Sequence, residues 1–425
     1  MSFTSCLKTK LPTFARRAGI YVGSKPRFFT QTALLRNASV PVYPSLHTLT
    51  EEEITIRDTV AKFAQEKILP KVQEMDEKES LDKEILNGLF DQGFMGVETQ
   101  GKYGGAEGSF MSVILVVEEL AKVDPSISVI CDVQNTLVNT LFLKYGNDAI
   151  KEKYLPQLAA NKVGCFCLSE VGAGSDAFSL KTRAEKKDGY YELTGSKMWI
   201  TNSYEADIFL VFANIDFTQK HRGITCFVVE KDFGVQVAKK ESKLGIRASS
   251  TCTLNFDGVK VPEENVLGEL GKGYKYAIEI LNEGRIGISA QMIGLAQGAF
   301  DHALPYTLER EQFGQHVGEF QGMQFQFAQI ATDIEAARLL TYNAARLKQE
   351  GKNFVMEAAM AKLFSSRVAE NAASKAIEFM GGVGFTRDYP VEKYYRDAKI
   401  GSIYEGTSNI QLQTIAKLIV NKYKS

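Results

Sequence analysis

The hydrophobic period of this chain changes twice along its length, and this limits the folds open to it. Up to about residue 160, apolar residues recur at the three-and-four spacing of helices, as in "SFMSVILVVEELAKVD" and "DAIKEKYLPQLA". Short β-branched and aromatic segments follow, such as "ADIFLVFANI" and "GITCFVVEKD", with turn signals such as Asp188-Gly189 between them. From Tyr274 the helical period returns and lasts to the C terminus. The order helices, strands, helices argues against the strand–helix alternation of a Rossmann fold.

We therefore predict an α+β protein with three domains after residues 1–50. The expected units are an N-terminal α-helical domain over 51–162, a middle β domain over 163–273 and a C-terminal helical bundle over 274–425. A chain of 425 residues is long enough for two or three domains. Thr50-Glu-Glu-Glu53 has the pattern of a capping box, which predicts where the first helix begins.

Residues 1–50 differ in composition from the rest of the chain. They contain no Asp or Glu, and they carry several Lys, Arg, Ser and Thr residues. This composition is typical of an organelle transit peptide, so we predict mitochondrial import with cleavage between about residues 25 and 45. A disordered basic tail is the alternative. The formal net charge of −1 gives no support for nucleic-acid binding.

The sequence supports neither a transmembrane helix nor a disulfide or metal site. The longest uncharged segment, Ile286–Phe300, is shorter than the roughly 20 residues of a transmembrane helix. The 6 cysteines form no CxxC motif and have no His cluster beside them, so we expect neither disulfides nor a metal site. Cys165 and Cys167 would share one face of a strand.

Several motifs carry a weak chemical signal when each is taken alone. Gly172-Ala-Gly174-Ser175 offers free backbone N–H groups that suit a phosphate, although most such loops are only turns. Trp199, the only tryptophan, lies in "SKMWITNS", where a lone Trp is normally part of the core. "EFMGGVGF" lacks the preceding strand of a dinucleotide fingerprint. Arg285 and Arg310 are each either an anion clamp or a salt-bridge residue.

The segment "IYEGTSNIQ", residues 403–411, raises a sharper question. Thr407 or Ser408 is suited to cap the following helix, which explains the hydroxyl residues. Capping does not explain Glu405, because this carboxylate precedes the cap and lies beside a glycine.

Taken together, these motifs resemble the acyl-CoA dehydrogenase family over roughly residues 51–425. The matching stretches are "CLSEVGAGSD", "KMWITN", "KLGIRASST", "NEGRIG", "REQFGQ", "EFMGGVGF" and "IYEGTSNIQ". Within the family the resemblance is strongest to the short/branched-chain members. It implies an N-terminal α-helical domain, a middle β-barrel and a C-terminal four-helix bundle.

The resemblance also implies an activity. It is the FAD-dependent α,β-dehydrogenation of a short branched-chain acyl-CoA, of the 2-methylbutyryl-CoA type, to the trans-2-enoyl-CoA. Electron-transferring flavoprotein is the implied acceptor, a homotetramer the implied assembly and the mitochondrial matrix the implied location. The alternatives are the same chemistry in reverse as an enoyl-CoA reductase, a straight short-chain or isobutyryl-CoA preference, an oxidase, or a scaffold protein that has lost catalysis.

The family's residues map onto this chain position by position. Glu405 resembles the catalytic base; some relatives carry the base at the position of Gly284 instead, which leaves Glu405 as the only candidate here. The implied FAD contacts are Phe166, Cys167, Leu168, Ser169, Gly174, Ser175, Trp199, Ile200, Thr201, Thr407, Ser408 and Asn409. The implied contacts to the FAD of a neighbouring subunit are Arg310, Gln321, Glu378, Phe379, Met380, Gly381 and Gly382. The implied substrate contacts are Ser175, His221, Tyr274, Asn282, Glu283, Gly284, Arg285 and Gly406.

One implied substrate contact departs from the family pattern. Close branched-chain relatives carry tyrosine where this chain has His221, at a position expected to face CoA. The departure affects the expected geometry of the CoA contact and leaves the chemistry unchanged.

Overall fold

The first part of the described chain is helical. The structure is a computed structural model that describes residues 45–424. Its first helices are α1 (Glu51–Phe63), α2 (Val72–Lys78), α3 (Lys83–Asp91), α4 (Phe110–Ala121), α5 (Pro125–Asp132), α6 (Thr140–Tyr145) and α7 (Asp148–Ala160). The predicted capping box is present, because the Thr50 hydroxyl accepts the N–H of Glu53 and the Glu53 carboxylate accepts the N–H of Thr50.

The centre of this helical part is buried on all sides. Every residue of α4 and of α5 is buried, and so is every residue of the π-helical turn Val133–Asn139 that follows α5. These helices are mostly apolar on every face, as expected of helices inside a protein rather than on its surface. The segment after α5 is therefore held firmly, and it later supplies a wall of the candidate site.

Eight strands of the described chain form the middle sheet. They are β1 (Gly164–Cys167), β2 (Arg183–Lys186), β3 (Tyr190–Thr201), β4 (Ile208–Asn214), β5 (Ile224–Glu230), β6 (Gln236–Lys240), β7 (Thr251–Pro262) and β8 (Val266–Leu267). The pairing order is β6-β7-β3-β2-β4-β5-β8, and β1 pairs in parallel with β4. Within residues 45–424 the end strands β6 and β8 do not pair with each other, so the expected β-barrel is present as a sheet whose hydrogen bonding is not closed.

The last part of the chain is helical again, as predicted. It contains α8 (Gly273–Glu309), a short hairpin of β9 (Glu311–Gln312) and β10 (Gln315–His316), α9 (Gln321–Gln349), α10 (Val355–Met380), α11 (Val391–Ala398) and α12 (Ser408–Lys424). Helix α10 packs against α8, α9 and α12. The mixed α+β class and the order of its parts are those expected from the sequence.

Glycines let α8 approach α4 very closely. A Cβ atom built on Gly294 would lie 2.1 Å from the carbonyl oxygen of Glu118, and one built on Gly298 would lie 2.2 Å from that of Lys122. Neither distance is compatible with a side chain. The Glu118 carboxylate accepts hydrogen bonds from Arg338 and Tyr342, which ties α9 to the same contact.

Three expectations from the sequence concern the rest of the chain. The Cys165 and Cys167 sulfurs lie on one face of β1, 3.5 Å apart, as predicted. Of the predicted transit peptide, residues 1–44 lie outside the described residues. No helix in the described range has both the length and the apolar character needed to cross a membrane.

Candidate active site

Glu405 lies in a strained turn just before α12. The φ angle is 52° at Glu405 and 84° at Gly406, so two successive residues adopt the left-handed region. A glutamate rarely adopts this conformation, and such strain persists only where the surroundings impose it. It is characteristic of active sites and ligand clamps.

Two buried side chains impose the conformation of this turn. The Gln411 side-chain amide donates to the carbonyl oxygens of Glu405, at 3.1 Å, and of Gly406, at 2.8 Å. The Lys362 ammonium, from α10, donates to the carbonyl oxygens of Gly401, at 2.6 Å, and of Gly406, at 2.8 Å. Sequence reasoning missed both residues, since nothing in their local pattern separates them from surface residues of a helix.

The turn brings the Glu405 carboxylate to α8 at Gly284. A Cβ atom built on Gly284 would lie 2.9 Å from Glu405 Oε2 and 2.9 Å from Leu137 Cδ2. The absence of a side chain at this position therefore makes room for the carboxylate. Leu137, which belongs to the buried turn after α5, forms an apolar wall at the same place.

The Glu405 carboxyl group has an unusual electrostatic environment. Its Oε2 atom is buried and has no hydrogen-bond partner in the described part of the chain. Burial raises the pKa of Glu405 to about 7, while the positive charges of Lys362 and Arg285 act in the opposite direction. A carboxyl group that titrates near neutral pH, with a free oxygen, is suited to accept a proton from a bound molecule.

Arg285 lies one position after Gly284 and faces the same turn. A Cβ atom built on Gly406 would lie 3.7 Å from Arg285 Nη2, and Arg285 Nη1 donates to Asn282 Oδ1 at 2.9 Å. Its Nε atom is buried and has no partner in residues 45–424. The structure thus brings together Asn282, Gly284, Arg285, Glu405 and Gly406.

Glu283 stands apart from the other expected substrate contacts on α8. Its fully buried carboxylate pairs with Lys144 and, at 3.4 Å, with Lys348. The side chain is therefore engaged by two lysines. Its expected contact with substrate stays a prediction.

Tyr274 and His221 lie together. Their ring centroids are 4.6 Å apart, and Phe178 lies edge-on to Tyr274 with its ring centroid at 4.1 Å. The exposed Ser175 precedes Phe178 in the same segment. The aromatic group joins the glycine-containing segment after β1 to the first turn of α8.

Trp199 projects from a bulge in β3. The register between β3 and β7 shifts between Lys197 and Ile200, and Trp199 has a φ angle of 64°. A bulge of this kind redirects a side chain. The indole is 55% exposed, whereas Ile200 is buried, so the usual placement of a lone Trp in the core is wrong here. No sequence signal other than the family resemblance points to this orientation.

A buried ion pair fixes the backbone beside Trp199. The Lys197 ammonium donates to the carbonyl oxygen of Leu168 at 3.0 Å and to Glu170 at 2.8 Å. The N–H of Met198 donates to the carbonyl oxygen of Ser169 at 2.9 Å. Phe166 and Cys167 lie earlier in the same segment; Cys167 is buried, and the Phe166 ring packs on Phe212 with centroids 4.9 Å apart.

The glycine-containing segment beyond this point is open. A Cβ atom on Gly172 or on Gly174 would meet nothing within 4 Å. At the other end of the site, Thr407 caps α12, because its hydroxyl accepts the N–H of Ile410 at 3.3 Å. Ser408 and Asn409 follow as the first residues of α12.

The remaining expected cofactor residues lie elsewhere on the chain. Arg310 follows the end of α8, 26 residues after Gly284, which is roughly 39 Å along the helix at 1.5 Å per residue. Arg310, Gln321 and Glu378 are exposed, whereas Phe379 and Met380 are buried in the helical core. Gly381 and Gly382 begin the turn after α10. One chain therefore does not bring Arg310 to Glu405.

Three domain models of one family match this chain in the order of its parts. They are the acyl-CoA dehydrogenase N-terminal domain at residues 50–162, the middle domain at 165–259 and the C-terminal domain at 271–420. The short/branched chain specific acyl-CoA dehydrogenase, mitochondrial, of Rattus norvegicus is 59% identical over 382 residues, which are 90% of this chain and 88% of the relative.

Solved structures give the same result. Butyryl-CoA dehydrogenase from Megasphaera elsdenii superposes with a TM-score of 0.86 at 41% identity, covering 88% of this chain and 99% of that one. An acyl-CoA dehydrogenase from Bacillus anthracis, solved with FAD, superposes with a TM-score of 0.83 at 30% identity, covering 90% of this chain and 68% of that one. This chain belongs to the acyl-CoA dehydrogenase family and is an oxidoreductase that dehydrogenates acyl-CoA.

Proposed function

We propose that this enzyme uses FAD to oxidise a short, α-branched acyl-CoA of the 2-methylbutyryl-CoA type to its trans-2-enoyl-CoA. The observation that carries the proposal is the position of Glu405. Its unpartnered, buried Oε2 atom faces the space that Gly284 leaves on α8, and burial raises its pKa to about 7. The high identity to a short/branched-chain relative supports the substrate class.

The reaction removes one hydrogen from the α-carbon and one from the β-carbon, and a C=C bond forms between them. Glu405 accepts the α-hydrogen as a proton, since it is the buried carboxylate with a free oxygen in this turn. FAD, when bound, supplies the acceptor for the β-hydrogen and its electron pair. Apolar surroundings such as Leu137 exclude water from the Glu405 carboxylate and keep it a strong base when it is ionised.

The residues around β3 fit a flavin. Trp199 offers a large exposed aromatic face, and the Lys197–Glu170 pair fixes the backbone of Leu168 and Ser169 beside it. The open backbone at Gly172 and Gly174 suits the phosphates of a dinucleotide. We assign the flavin ring to Trp199, Ile200 and Thr201, its edge to Leu168 and Ser169, and the phosphate side to Gly174 and Ser175. Thr407, Ser408 and Asn409 complete the cofactor site from the start of α12.

The substrate lies between α8 and the Glu405 turn in this proposal. Gly284 leaves room for the branched acyl group, because a side chain at this position would fill the space next to the Glu405 carboxylate. Arg285 and the backbone of Gly406 border the same space, and Tyr274 with His221 contacts the CoA portion.

The length of α8 supports an assembly of several subunits. Because Arg310 lies roughly 39 Å from Gly284 along the helix, it serves the FAD of a neighbouring subunit, together with Gln321 and the segment from Glu378 to Gly382. We propose a homotetramer in the mitochondrial matrix that passes electrons to electron-transferring flavoprotein. We propose the three domains expected from the sequence, 51–162, 163–273 and 274–425.

An anaerobic titration tests the substrate. The flavin-loaded enzyme is titrated separately with 2-methylbutyryl-CoA, butyryl-CoA and isobutyryl-CoA while the flavin absorbance is followed. Strongest bleaching with 2-methylbutyryl-CoA is the expected result. Bleaching by butyryl-CoA or isobutyryl-CoA alone would overturn the branched-chain assignment. No bleaching by any of the three would overturn the proposed reaction on short acyl groups.

A further inference from the structure

Lys362 is a buried cation whose environment differs from that of the other buried lysines. It is fully buried on α10, and its ammonium donates to two backbone carbonyl oxygens, those of Gly401 and Gly406. In contrast, the buried ammonium groups of Lys197 and Lys393 each contact a carboxylate directly, at 2.8 Å and 2.6 Å. Within residues 45–424, Lys362 has no carboxylate at ion-pair distance.

An ammonium group without a paired carboxylate is costly to bury. Burial lowers the pKa of Lys362 to about 8, and the negative charge of Glu405 is the effect that opposes this. One of the two carbonyl groups, that of Gly401, lies four residues before Glu405, and the other, that of Gly406, directly follows it. Lys362 thus bridges the turn that carries the carboxylate and is also the cation with the larger effect on it.

We infer that Lys362 is a positioning residue for the base: it holds the strained Glu405–Gly406 turn through its carbonyl contacts and favours the carboxylate form of Glu405 through its charge. The inference rests on the proposed role of Glu405 as base. It assigns to α10 a part in the chemistry, although no side chain of α10 reaches the Glu405 carboxylate by a hydrogen bond in the described residues.

Within residues 45–424, three other titratable groups interact with Glu405. Arg285, from α8, also favours the carboxylate, but its guanidinium is bonded to Asn282. Asp132, at the end of α5, is fully buried next to Gly287, and both burial and the charge of Glu405 raise its pKa well above that of an ordinary aspartate. The pKa of Tyr404, in the same turn, is also raised by burial. Lys362 and Arg285 are therefore the only charged groups, among those described, that offset the burial of Glu405.

The test follows the Glu405 carboxyl group directly, without substrate. The infrared carbonyl band of protonated Glu405 is titrated between pH 5 and 9 in the flavin-loaded full chain, and it is identified by its absence in Glu405→Gln. Lys362→Gln removes the charge and keeps a hydrogen-bond donor. Ser366→Ala is the matched control, because the uncharged Ser366 hydroxyl shares its proton between the carbonyl oxygens of Lys362, at 2.7 Å, and Gly401, at 2.8 Å.

We expect the midpoint in Lys362→Gln to rise by about one pH unit or more, as for the loss of a nearby opposite charge, and the midpoint in Ser366→Ala to stay unchanged. An unchanged midpoint in Lys362→Gln would overturn the inference. An equal rise in both variants would also overturn it, since loss of an uncharged contact to Gly401 would then be enough and the charge of Lys362 would contribute nothing.

Two measures keep this test decisive. If Lys362→Gln does not fold, Lys362→Met is used, because an apolar side chain of similar length suits a buried site. The titration needs no acyl-CoA, so a failed substrate assignment leaves it intact. A wild type that is not reduced by any acyl-CoA would count against the proposed function, whereas an unchanged midpoint would count against Lys362 alone.

Discussion

Replacing Glu405 with glutamine should increase the free energy of unfolding, but only at pH values above about 4.5. The folded state raises the pKa of this carboxyl from an ordinary value of 4.5 to about 7. Below pH 4.5 the group is protonated in both the folded and the unfolded chain, so it has no effect on the free energy of unfolding. Between pH 4.5 and 7 the unfolded chain releases the proton and the folded chain keeps it, so stability falls as the pH rises.

The size of this effect follows from the same values. A difference of one pH unit corresponds to about 1.4 kcal/mol, so the wild type should lose about 3 kcal/mol once the pH exceeds 7. Glutamine is neutral at every pH and approximates the protonated acid, so Glu405→Gln escapes this loss. Catalytic groups commonly reduce stability in this way.

Denaturant unfolding of the flavin-loaded enzyme and the variant, at several values between pH 4.5 and 8.5, measures the effect. The variant should match the wild type near pH 4.5 and exceed it by up to about 3 kcal/mol above pH 7. Glu74→Gln is the control, because the Glu74 side chain is exposed and forms a surface ion pair with Lys78. A variant that is no more stable than the wild type at pH 8, or equally more stable at all pH values, would refute the reasoning.

Four further outcomes are expected. The rate of flavin reduction by substrate should rise with pH through about 7 as Glu405 ionises, and stopped-flow absorbance should show no such rise in Glu405→Gln, which should keep its flavin. Gly284→Ala should slow that reduction, because its Cβ atom would lie 2.9 Å from Glu405 Oε2, while the helix-propensity gain of about 1 kcal/mol offsets much of the overpacking in thermal unfolding. Adding FAD to the apoprotein should quench the emission of Trp199, the only tryptophan; unchanged emission would place the flavin ring elsewhere. Arg310→Ala should weaken FAD retention and tetramer assembly together, as measured by flavin absorbance and size-exclusion chromatography, and loss of neither would leave Arg310 as a surface side chain.

The order of helices and strands could be predicted because hydrophobic periodicity is a local property of the sequence. The capping box at Thr50 and the cap at Thr407 could also be predicted, since each depends on neighbours within four residues. Glu405 stood out because capping, the ordinary explanation for a polar turn, left it unexplained. In each of these cases, the residues that produce the feature lie close together in the sequence.

The features that escaped prediction depend on contacts between distant parts of the chain. The bulge that exposes Trp199 arises from the register of β3 against β7, which no short window contains. In the sequence, nothing distinguishes Lys362 from other helical lysines. Its role arises because α10 packs against the Glu405 turn, which lies some 40 residues later in the chain. Gly284 was expected near the substrate from the family resemblance, but its close approach to Glu405 and Leu137 depends on distant elements. For these residues the type could be read from the sequence, but the distant partner could not.

The close approach of α8 to α4 also constrains how this protein can change in evolution. Each residue of a helix advances it by about 100°, so a single deletion between Gly284 and Gly294 would turn every later position by that angle. Side chains would then point at the Glu118 and Lys122 carbonyl oxygens, where only glycine fits. Substitutions on the exposed face of α8 are tolerable, but insertions and deletions are not. Among homologues the number of residues between these glycines should therefore vary less than the residues themselves.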